Sequence, residues 1–332
     1  MMRYRQLGST GLMVSEIGIG GGGLGHVWGE TTDESVREAI DHALTEGVNF
    51  FDVAPGYGNG KAEENLGDAL RGGRREETVI GTKVFLTTED LDDISGAIER
   101  SLAASLERLH TEYIDLFQLH NRITPDQGDT RGSLTLQTVL GEGGVVETLH
   151  RLRGSDSVRF VGFTGVGDPT AVREVMQNGE LDSVQAYYNV LNPSAGIQPA
   201  PGSTLWDHGQ ILGLAAELGM AAIGIRNLAA GALTQGYDRP VEPASLMGRD
   251  LERAESLKFL SENGVPLAQV ATRFVLQHSA ISSVVPGVKN AAEVADSIAS
   301  TDLPALDQTT LQRLADLAAD DFGVPEPPGS MM

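Results

Sequence analysis

Eight short apolar runs recur along the chain, and most of them are rich in β-branched residues. Most also lack a strict alternation of polar and apolar side chains, which is typical of parallel strands buried on both faces. Amphipathic helical patterns separate the runs. Eight strands alternating with helices favour a closed (β/α)8 TIM barrel, an α/β fold, over an open doubly wound sheet. The runs occupy residues 17–20, 48–53, 78–84, 114–120, 158–165, 182–188, 221–227 and 282–287.

The segments outside this alternation complete the expected architecture. Residues 3–16 have the pattern of an N-terminal β-hairpin, with its turn at Gly8 to Gly11. A length of 332 residues suits a single barrel domain spanning residues 1–332. We expect residues 321–332 to form a flexible tail.

Three connections are too long to be simple turns and are rich in Gly, Pro, Asp and Ser. They cover residues 121–144, 189–203 and 235–250. Each follows the C-terminal end of a predicted strand, on the face where barrel enzymes build their active sites. We therefore expect lids or substrate loops on this face, with disorder as the alternative for residues 235–250.

The charge and the lack of cysteine exclude several classes of function. The chain has 46 acidic and 24 basic side chains, a formal net charge of −22. Nucleic acids and anionic membranes both need a concentrated positive surface, so neither is an expected partner. Without cysteine there are no disulfides, thiolate metal sites or cysteine nucleophile, which fits a cytoplasmic protein. No apolar stretch approaches the roughly 20 residues that span a bilayer, and the N-terminus lacks the apolar core of a secretion signal.

Residues 18–25, GIGGGGLG, contain two overlapping matches to the G-x-G-x-x-G fingerprint of dinucleotide-binding domains. A genuine fingerprint opens directly into a helix, whereas HVWGETT separates Gly25 from the helix predicted to begin at Asp33. We therefore assign the glycines to the end of the first barrel strand. Their missing side chains would leave room there for a cofactor or substrate to approach the backbone.

Four chemically active side chains fall near the C-terminal ends of three consecutive predicted strands. Asp52, Lys83 and His120 end the second, third and fourth strands, and Tyr57 lies in the turn after Asp52. Adjacent parallel strands lie about 4.8 Å apart, so the four groups can converge. Each residue alone has an ordinary structural explanation, but their matching positions favour a common site.

The four residues together have the chemistry of a proton relay. An ammonium group such as that of Lys83 stabilises the phenolate of a neighbouring tyrosine, here Tyr57. Asp52 can hold Lys83 and keep it protonated, and a neutral His120 can donate a proton to a carbonyl oxygen in a hydrogen bond. The sequence therefore predicts a site that reduces a carbonyl or oxidises an alcohol.

Several segments carry a resemblance to a known family. FFDVAPGYGNGKAEENLG, GTKV, YIDLFQLH, RFVGFTG, QAYYN and VVPGVKNAAEVADSI have the order and spacing of the aldo-keto reductase superfamily, and LGSTGLMVSEIGIG resembles its N-terminal hairpin and first strand. The resemblance spans about residues 3 to 300. It implies a TIM barrel that binds NAD or NADP, with Tyr57 as general acid/base, Lys83 and Asp52 tuning it, and His120 orienting the substrate.

The same resemblance implies the cofactor positions. Gln185 matches a glutamine that contacts the nicotinamide amide, while the family's usual Ser-Asn pair is here Thr164 and Gly165. Arg226 stands where it would meet the cofactor pyrophosphate, and Ile225 cannot stack on the nicotinamide as an aromatic would. These variants resemble a branch of sugar-lactone-forming aldose dehydrogenases, which leaves the direction of the reaction open. The remaining implied positions are Gly21, Leu228, Gly231, Gly287, Lys289, Glu293 and Asp296.

The choice between NAD and NADP depends on charge around the ribose 2′-position. Lys289 suits a 2′-phosphate, but Glu293 stands where phosphate-binding members commonly carry an arginine, and its carboxylate would repel the phosphate. Asp296 matches the acidic residue that contacts adenine. The balance favours NAD, or use of both cofactors.

The substrate pocket is predicted from positions near strand ends or in long loops. Arg122 favours an anionic or polyhydroxylated substrate, with a surface salt bridge as the alternative, and Trp28 and Trp206 can equally be packing anchors. Besides the oxidoreductase, a nicotinamide-binding sensor or auxiliary subunit stays open, whereas a metal-dependent hydrolase lacks suitably spaced paired ligands. The candidate pocket residues are Trp28, Phe85, Asn121, Arg122, Tyr188 and Trp206.

Overall fold

Eight parallel strands form the barrel that the sequence predicts. In the computed structural model, which describes residues 1–126, 128, 132–237 and 239–327, each barrel strand pairs with the next along the chain. Parallel bridges from Ile17 to Val284 and from Gly20 to Gly287 join the two ends of the sheet, which confirms the (β/α)8 fold. Strands β1 to β10, the first two forming the hairpin, are Tyr4–Gln6, Met13–Ser15, Ile19–Gly20, Phe50–Asp52, Val79–Val84, Ile114–Leu119, Val158–Thr164, Ser183–Tyr187, Ala221–Ile225 and Ile281–Val284.

The helices between the strands begin where the sequence supplies capping groups. The first helix follows Thr32, whose hydroxyl accepts a hydrogen bond from the Ser35 backbone N–H. Asp33 and Glu34 place negative charge on its first turn, which the helix dipole favours. Helices α1 to α11 are Asp33–Thr45, Lys61–Ala69, Ile94–Leu109, Leu136–Leu140, Val145–Leu152, Pro169–Asn178, Ile211–Leu218, Leu246–Glu255, Leu267–Leu276, Ala291–Ala299 and Gln308–Ala319.

Two of the predicted long loops contain helical structure. Helix α4 lies within residues 121–144, and α8 begins inside residues 235–250. Residues 127, 129–131 and 238 of these loops lie outside the described residues. Within the described ranges, no helix combines the length and the apolar character needed to cross a membrane.

The N-terminal hairpin fills the end of the barrel where the strands begin. Strands β1 and β2 pair antiparallel, as predicted. Leu7 and Val14 are fully buried and belong to one apolar cluster with Phe50 and Leu116 of the barrel strands. Burial of this apolar surface closes the N-terminal end. The C-terminal ends of the strands are therefore the open face.

Residues 321–327, within the segment expected to be a flexible tail, make specific contacts with the rest of the protein. The Asp321 carboxylate accepts hydrogen bonds from Ser203 Oγ at 2.6 Å and from the Thr204 backbone nitrogen at 2.8 Å. These bonds lower the pKa of Asp321 although partial burial opposes them. Phe322 is buried beside it. The segment is thus fastened to the long connection that follows β8, and residues 328–332 lie outside the described residues.

Arg253 of α8 is the centre of this C-terminal clamp. Its side chain is only 2% exposed. The guanidinium donates to the Val324 carbonyl oxygen at 2.6 Å, to Glu326 Oε1 at 2.8 Å and to Asp250 Oδ1 at 3.1 Å. One buried cation therefore joins α8 to the end of the chain.

Replacing Arg253 tests this clamp. Arg253→Met leaves the buried Asp250 carboxylate without its cation, and we expect the free energy of unfolding to fall by about 3–5 kcal/mol. Urea denaturation followed by circular dichroism measures the change. Arg100→Met, which removes an exposed ion pair with Asp93, is the matched control and should lose less than about 1 kcal/mol. Equal losses in both variants would contradict the clamp.

Candidate active site

The C-terminal ends of the barrel strands surround a cavity of about 760 Å³. Asp52, Tyr57 and His120 line this cavity, and Lys83 contacts Asp52 directly. Every position predicted for cofactor binding also lines it. These positions are Gly21, Thr164, Gln185, Arg226, Leu228, Gly231, Gly287, Lys289, Glu293 and Asp296.

Lys83 and Asp52 form a buried ion pair next to the cavity. Lys83 Nζ donates to Asp52 Oδ2 at 2.7 Å and to the Val53 carbonyl oxygen at 2.8 Å. The two side chains are only 0% and 3% exposed. Two side-chain amides donate to the other oxygen of this carboxylate. Gln185 Nε2 donates to Asp52 Oδ1 at 2.8 Å, and Gln118 Nε2 donates to the same oxygen at 3.1 Å. Donors on both oxygens offset the removal of the carboxylate from water.

The ammonium group of Lys83 lies close to the ring of Tyr57. The ammonium nitrogen lies 4.9 Å from the centroid of the tyrosine ring. Burial alone lowers the pKa of Lys83, but the Asp52 carboxylate, with a further contribution from Tyr57, overcomes burial and raises that pKa above its ordinary value. Lys83 is therefore positively charged at neutral pH beside the phenol ring.

His120 is a neutral imidazole on the same cavity wall. Its ring meets the Tyr57 ring edge to face, with centroids 5.8 Å apart. Burial, together with the positive charge of Lys83, lowers the pKa of His120 to about 3. A neutral imidazole has one N–H donor and one acceptor nitrogen. His120 therefore presents a neutral ring with one N–H donor, and not a cation, on the cavity wall.

The glycine run at 18–25 borders the cavity and also packs closely against the protein itself. Gly20, Gly21 and Gly22 line the cavity. A Cβ at Gly22 would lie 1.8 Å from Trp28 Nε1, so a side chain of the protein already fills that space. At Gly23 and Gly25 the space is filled by the protein's own backbone. A Cβ would lie 1.8 Å from the Val288 carbonyl oxygen at Gly23 and 2.5 Å from the Tyr57 carbonyl oxygen at Gly25. These two glycines therefore let neighbouring loops pack against the first strand.

Two residues near the reacting groups are missing from the sequence-based prediction. Gln118 lies two positions before His120 on β6, and side chains two apart on a strand point to the same face. That spacing was the signal for Gln118, which binds Asp52. Tyr187 stands two positions after Gln185 on β8 and lines the cavity. Its ring stacks on His208 with centroids 4.7 Å apart.

Only part of the predicted substrate pocket faces this cavity. Trp28 and Arg122 line it, whereas Phe85 and Trp206 do not. The Phe85 side chain lies at the surface, 48% exposed. Trp206 lines a separate cavity of about 50 Å³.

Asn121 and Tyr188 do not line this cavity and make other contacts in the described structure. The Asn121 side chain is fully buried and bonds both backbone groups of Leu86, accepting from its nitrogen at 2.9 Å and donating to its oxygen at 2.8 Å. Tyr188 is buried and stacks on Phe274 with centroids 5.2 Å apart. Both side chains serve packing and backbone hydrogen bonding.

The cavity end near α10 carries charges of both signs. Glu293 Oε2 accepts a hydrogen bond from the Lys289 backbone nitrogen at 2.9 Å, and Lys289 Nζ lies 3.5 Å from Glu293 Oε1. Asp296 Oδ1 accepts a hydrogen bond from Gln269 Nε2 at 2.5 Å. A carboxylate therefore stands beside the lysine that would receive a phosphate.

The chain is similar to known proteins over nearly its whole length. A model of the aldo/keto reductase family matches residues 16–319. L-galactose dehydrogenase of Arabidopsis thaliana is 29% identical over 94% of this chain and 93% of the plant protein. The NADH-specific methylglyoxal reductase of Escherichia coli is 25% identical over 95% and 99%. The structure of an aldo-keto reductase from Bacillus halodurans in its holo form covers 96% of both chains at 24% identity, with a TM-score of 0.71, and shows the same fold. The chain belongs to the aldo/keto reductase family.

Proposed function

We propose that this protein transfers a hydride between NAD(P) and the carbonyl or alcohol carbon of an aldehyde, ketone or aldose, with Tyr57 as general acid/base. The observation that carries the proposal is the buried Lys83–Asp52 pair beside Tyr57, in a cavity that also holds His120. Oxidoreductases of the aldo/keto reductase family generally reduce carbonyls with NAD(P)H. A nicotinamide-binding sensor with little turnover would not need this complete relay.

Tyr57 moves the proton at the reacting oxygen. In reduction its hydroxyl donates a proton as the carbonyl oxygen becomes an alcohol, and the resulting phenolate is stabilised by the charge of Lys83. Asp52 keeps Lys83 protonated and in place. In oxidation the phenolate accepts the alcohol proton, so the same groups serve either direction. Neutral His120 donates its N–H to the same oxygen and orients it.

The cavity suits a nicotinamide cofactor, which supplies or accepts the hydride when bound. The Thr164 hydroxyl and the Gln185 amide are bonded to each other at 3.3 Å and line the cavity, where they can meet a carboxamide. Gly21 and Gly287 form a part of the cavity wall that carries no side chain of its own, and Trp28 lies next to Gly287. Leu228 and Gly231 extend the wall toward the adenosine end, where Asp296 would contact adenine.

NAD is the favoured cofactor under this proposal. A 2′-phosphate near Lys289 would also meet the Glu293 carboxylate, which lies 3.5 Å from the lysine ammonium. The carboxylate neutralises the lysine and repels a phosphate. NAD, which has a hydroxyl at this position, meets no such repulsion.

Tyr57→Phe tests the proton relay. Loss of the hydroxyl removes the general acid/base, and we expect kcat to fall about 100- to 10,000-fold while cofactor binding is retained. Reduced-cofactor absorbance measures turnover, and quenching of protein fluorescence measures cofactor binding. Tyr113→Phe, a tyrosine close to Arg75 and outside the cavity lining, is the control. Full turnover by Tyr57→Phe would remove Tyr57 from the mechanism.

The ionisation of His120 is testable by NMR of labelled imidazoles. Because its folded pKa of about 3 lies below the ordinary 6.5, we expect its ring signals to stay constant from pH 8 down to about 5. In the urea-unfolded chain the same ring should titrate near 6.5. The unfolded state therefore binds more protons between the two values, so His120 lowers stability as pH falls through this window. A folded-state transition near 6.5 would refute the neutral-donor role.

Glu293→Gln tests the cofactor preference. Removing the carboxylate should lower the KM for NADPH about fivefold, because one like-charge contact at a solvated site costs about 1 kcal/mol. The KM for NADH should stay nearly unchanged. Steady-state kinetics with both cofactors provide the measurement. Glu99→Gln, on exposed α3 and paired with Arg151, controls for net charge. A wild-type enzyme that prefers NADPH would contradict the preference.

A further inference from the structure

Two glutamine side chains donate to the same oxygen of Asp52. Gln185 Nε2 of β8 lies 2.8 Å from Asp52 Oδ1, and Gln118 Nε2 of β6 lies 3.1 Å from it. All three residues are buried, with exposed fractions of at most 2%. A carboxylate oxygen offers about two acceptor sites. The two amides therefore fill Oδ1, while Lys83 is bonded to Oδ2.

The two glutamines differ in what else they contact. Gln185 lines the cavity, and its Oε1 accepts a hydrogen bond from Thr164 Oγ1 at 3.3 Å. Gln118 does not line the cavity, and no donor among the described residues bonds its Oε1. A hydrocarbon side chain of the same length would bury no such oxygen. The N–H group that Gln118 directs at Asp52 is therefore what distinguishes it from an apolar residue.

Gly81 leaves the space in which Gln118 reaches Asp52. It lies on β5, between β4 and β6, and is the register partner of Asp52. A Cβ on Gly81 would lie 3.2 Å from Asp52 Oδ1 and 3.4 Å from Gln118 Nε2. The first of these distances is tighter than an ordinary van der Waals contact. Any side chain at Gly81 would therefore crowd the bonded pair.

The Gln185 amide cannot turn toward a ligand without changing its bond to Asp52. Its Oε1 and Nε2 belong to one rigid group, and Nε2 is bonded to Asp52 at 2.8 Å. A rotation that aligns this amide with a carboxamide in the cavity would lengthen that bond. Gln118 would then be the amide that still donates to Asp52 Oδ1.

We propose that Gln118 is a positioning residue that holds Asp52 while Gln185 turns to the nicotinamide carboxamide of the bound cofactor. The inference rests on the proposed function, in which this carboxamide meets Gln185. Gln118 touches neither cofactor nor substrate, and it acts through Asp52 and Lys83. Its bond keeps one amide donor on Oδ1, so the carboxylate continues to hold Lys83 Nζ beside Tyr57.

Gln118→Met tests this role, because it removes the donor and keeps the length of the side chain. In the free protein Gln185 still donates to Asp52, but a cofactor that engages Gln185 would leave Oδ1 without an amide donor. We therefore expect the Kd for NADH to rise about fivefold. The Kd for ADP-ribose, which has no nicotinamide, should stay unchanged. Isothermal titration calorimetry measures both constants.

Two further variants complete the design. Gly81→Ala crowds the bond between Gln118 and Asp52 without altering either residue, and it should produce the same selective rise in the Kd for NADH. Ser183→Ala is the matched control, since Ser183 is fully buried on β8 and its hydroxyl forms no hydrogen bond with the described residues. Both constants should keep their wild-type values in this control. Circular dichroism shows that each variant is folded, and Gly81→Ala decides the test if Gln118→Met does not fold.

The outcomes separate this inference from the proposed function. An unchanged Kd for NADH in the variants, or an equal rise for NADH and ADP-ribose, overturns the inference alone, because a merely structural role would not single out the nicotinamide. A wild-type protein that binds NADH but turns over no aldehyde, ketone or aldose overturns the proposed function. A selective rise in the Kd for NADH would still support the role of Gln118 in that case. A wild-type protein that does not bind NADH overturns both.

Discussion

The buried ion pair between Lys83 and Asp52 is the interaction on which the site depends. Two charges can leave water only when the polar atoms around them are bonded, and Asp52 accepts from Lys83, Gln118 and Gln185. These four side chains come from β4, β5, β6 and β8, and Lys83 stands opposite Gln118 in the register of neighbouring strands. Asp52 therefore obtains its full set of donors only when these four strands are assembled in this register, so the same strand packing builds the fold and the site.

The barrel and the convergence of Asp52, Tyr57, Lys83 and His120 could be predicted because both depend on periodic features of the sequence. In a parallel barrel every strand ends on the same face, so residues at strand ends must meet. Side-chain direction just beyond the strand ends was harder to predict. Arg122 and Tyr187 face the cavity, while their neighbours Asn121 and Tyr188 turn into the protein. A difference of one position reverses the side of the chain that a residue faces.

The C-terminal clamp was missed for another physical reason. The Pro- and Gly-containing end predicts a mobile segment because composition reports only local preferences. What orders residues 321–327 is a partner far away in the sequence, since Arg253 and Glu326 are 73 positions apart. The residues around Arg253 carry no local signal of the carboxylate that this arginine will meet. Such pairings become visible only in three dimensions.

Gln185 connects the part of the cavity where we propose that nicotinamide binds to the buried Lys83–Asp52 pair. Its Oε1 accepts from Thr164 Oγ1 at 3.3 Å, while its Nε2 donates to Asp52 Oδ1 at 2.8 Å. A ligand that forms a hydrogen bond with the Gln185 amide would weaken one of the hydrogen bonds that Asp52 accepts. Gln118 supplies a second donor to the same oxygen, and Lys83 holds the other. Because two amides donate to the same oxygen, Gln185 can contact a ligand while the Lys83–Asp52 ion pair beside Tyr57 stays intact.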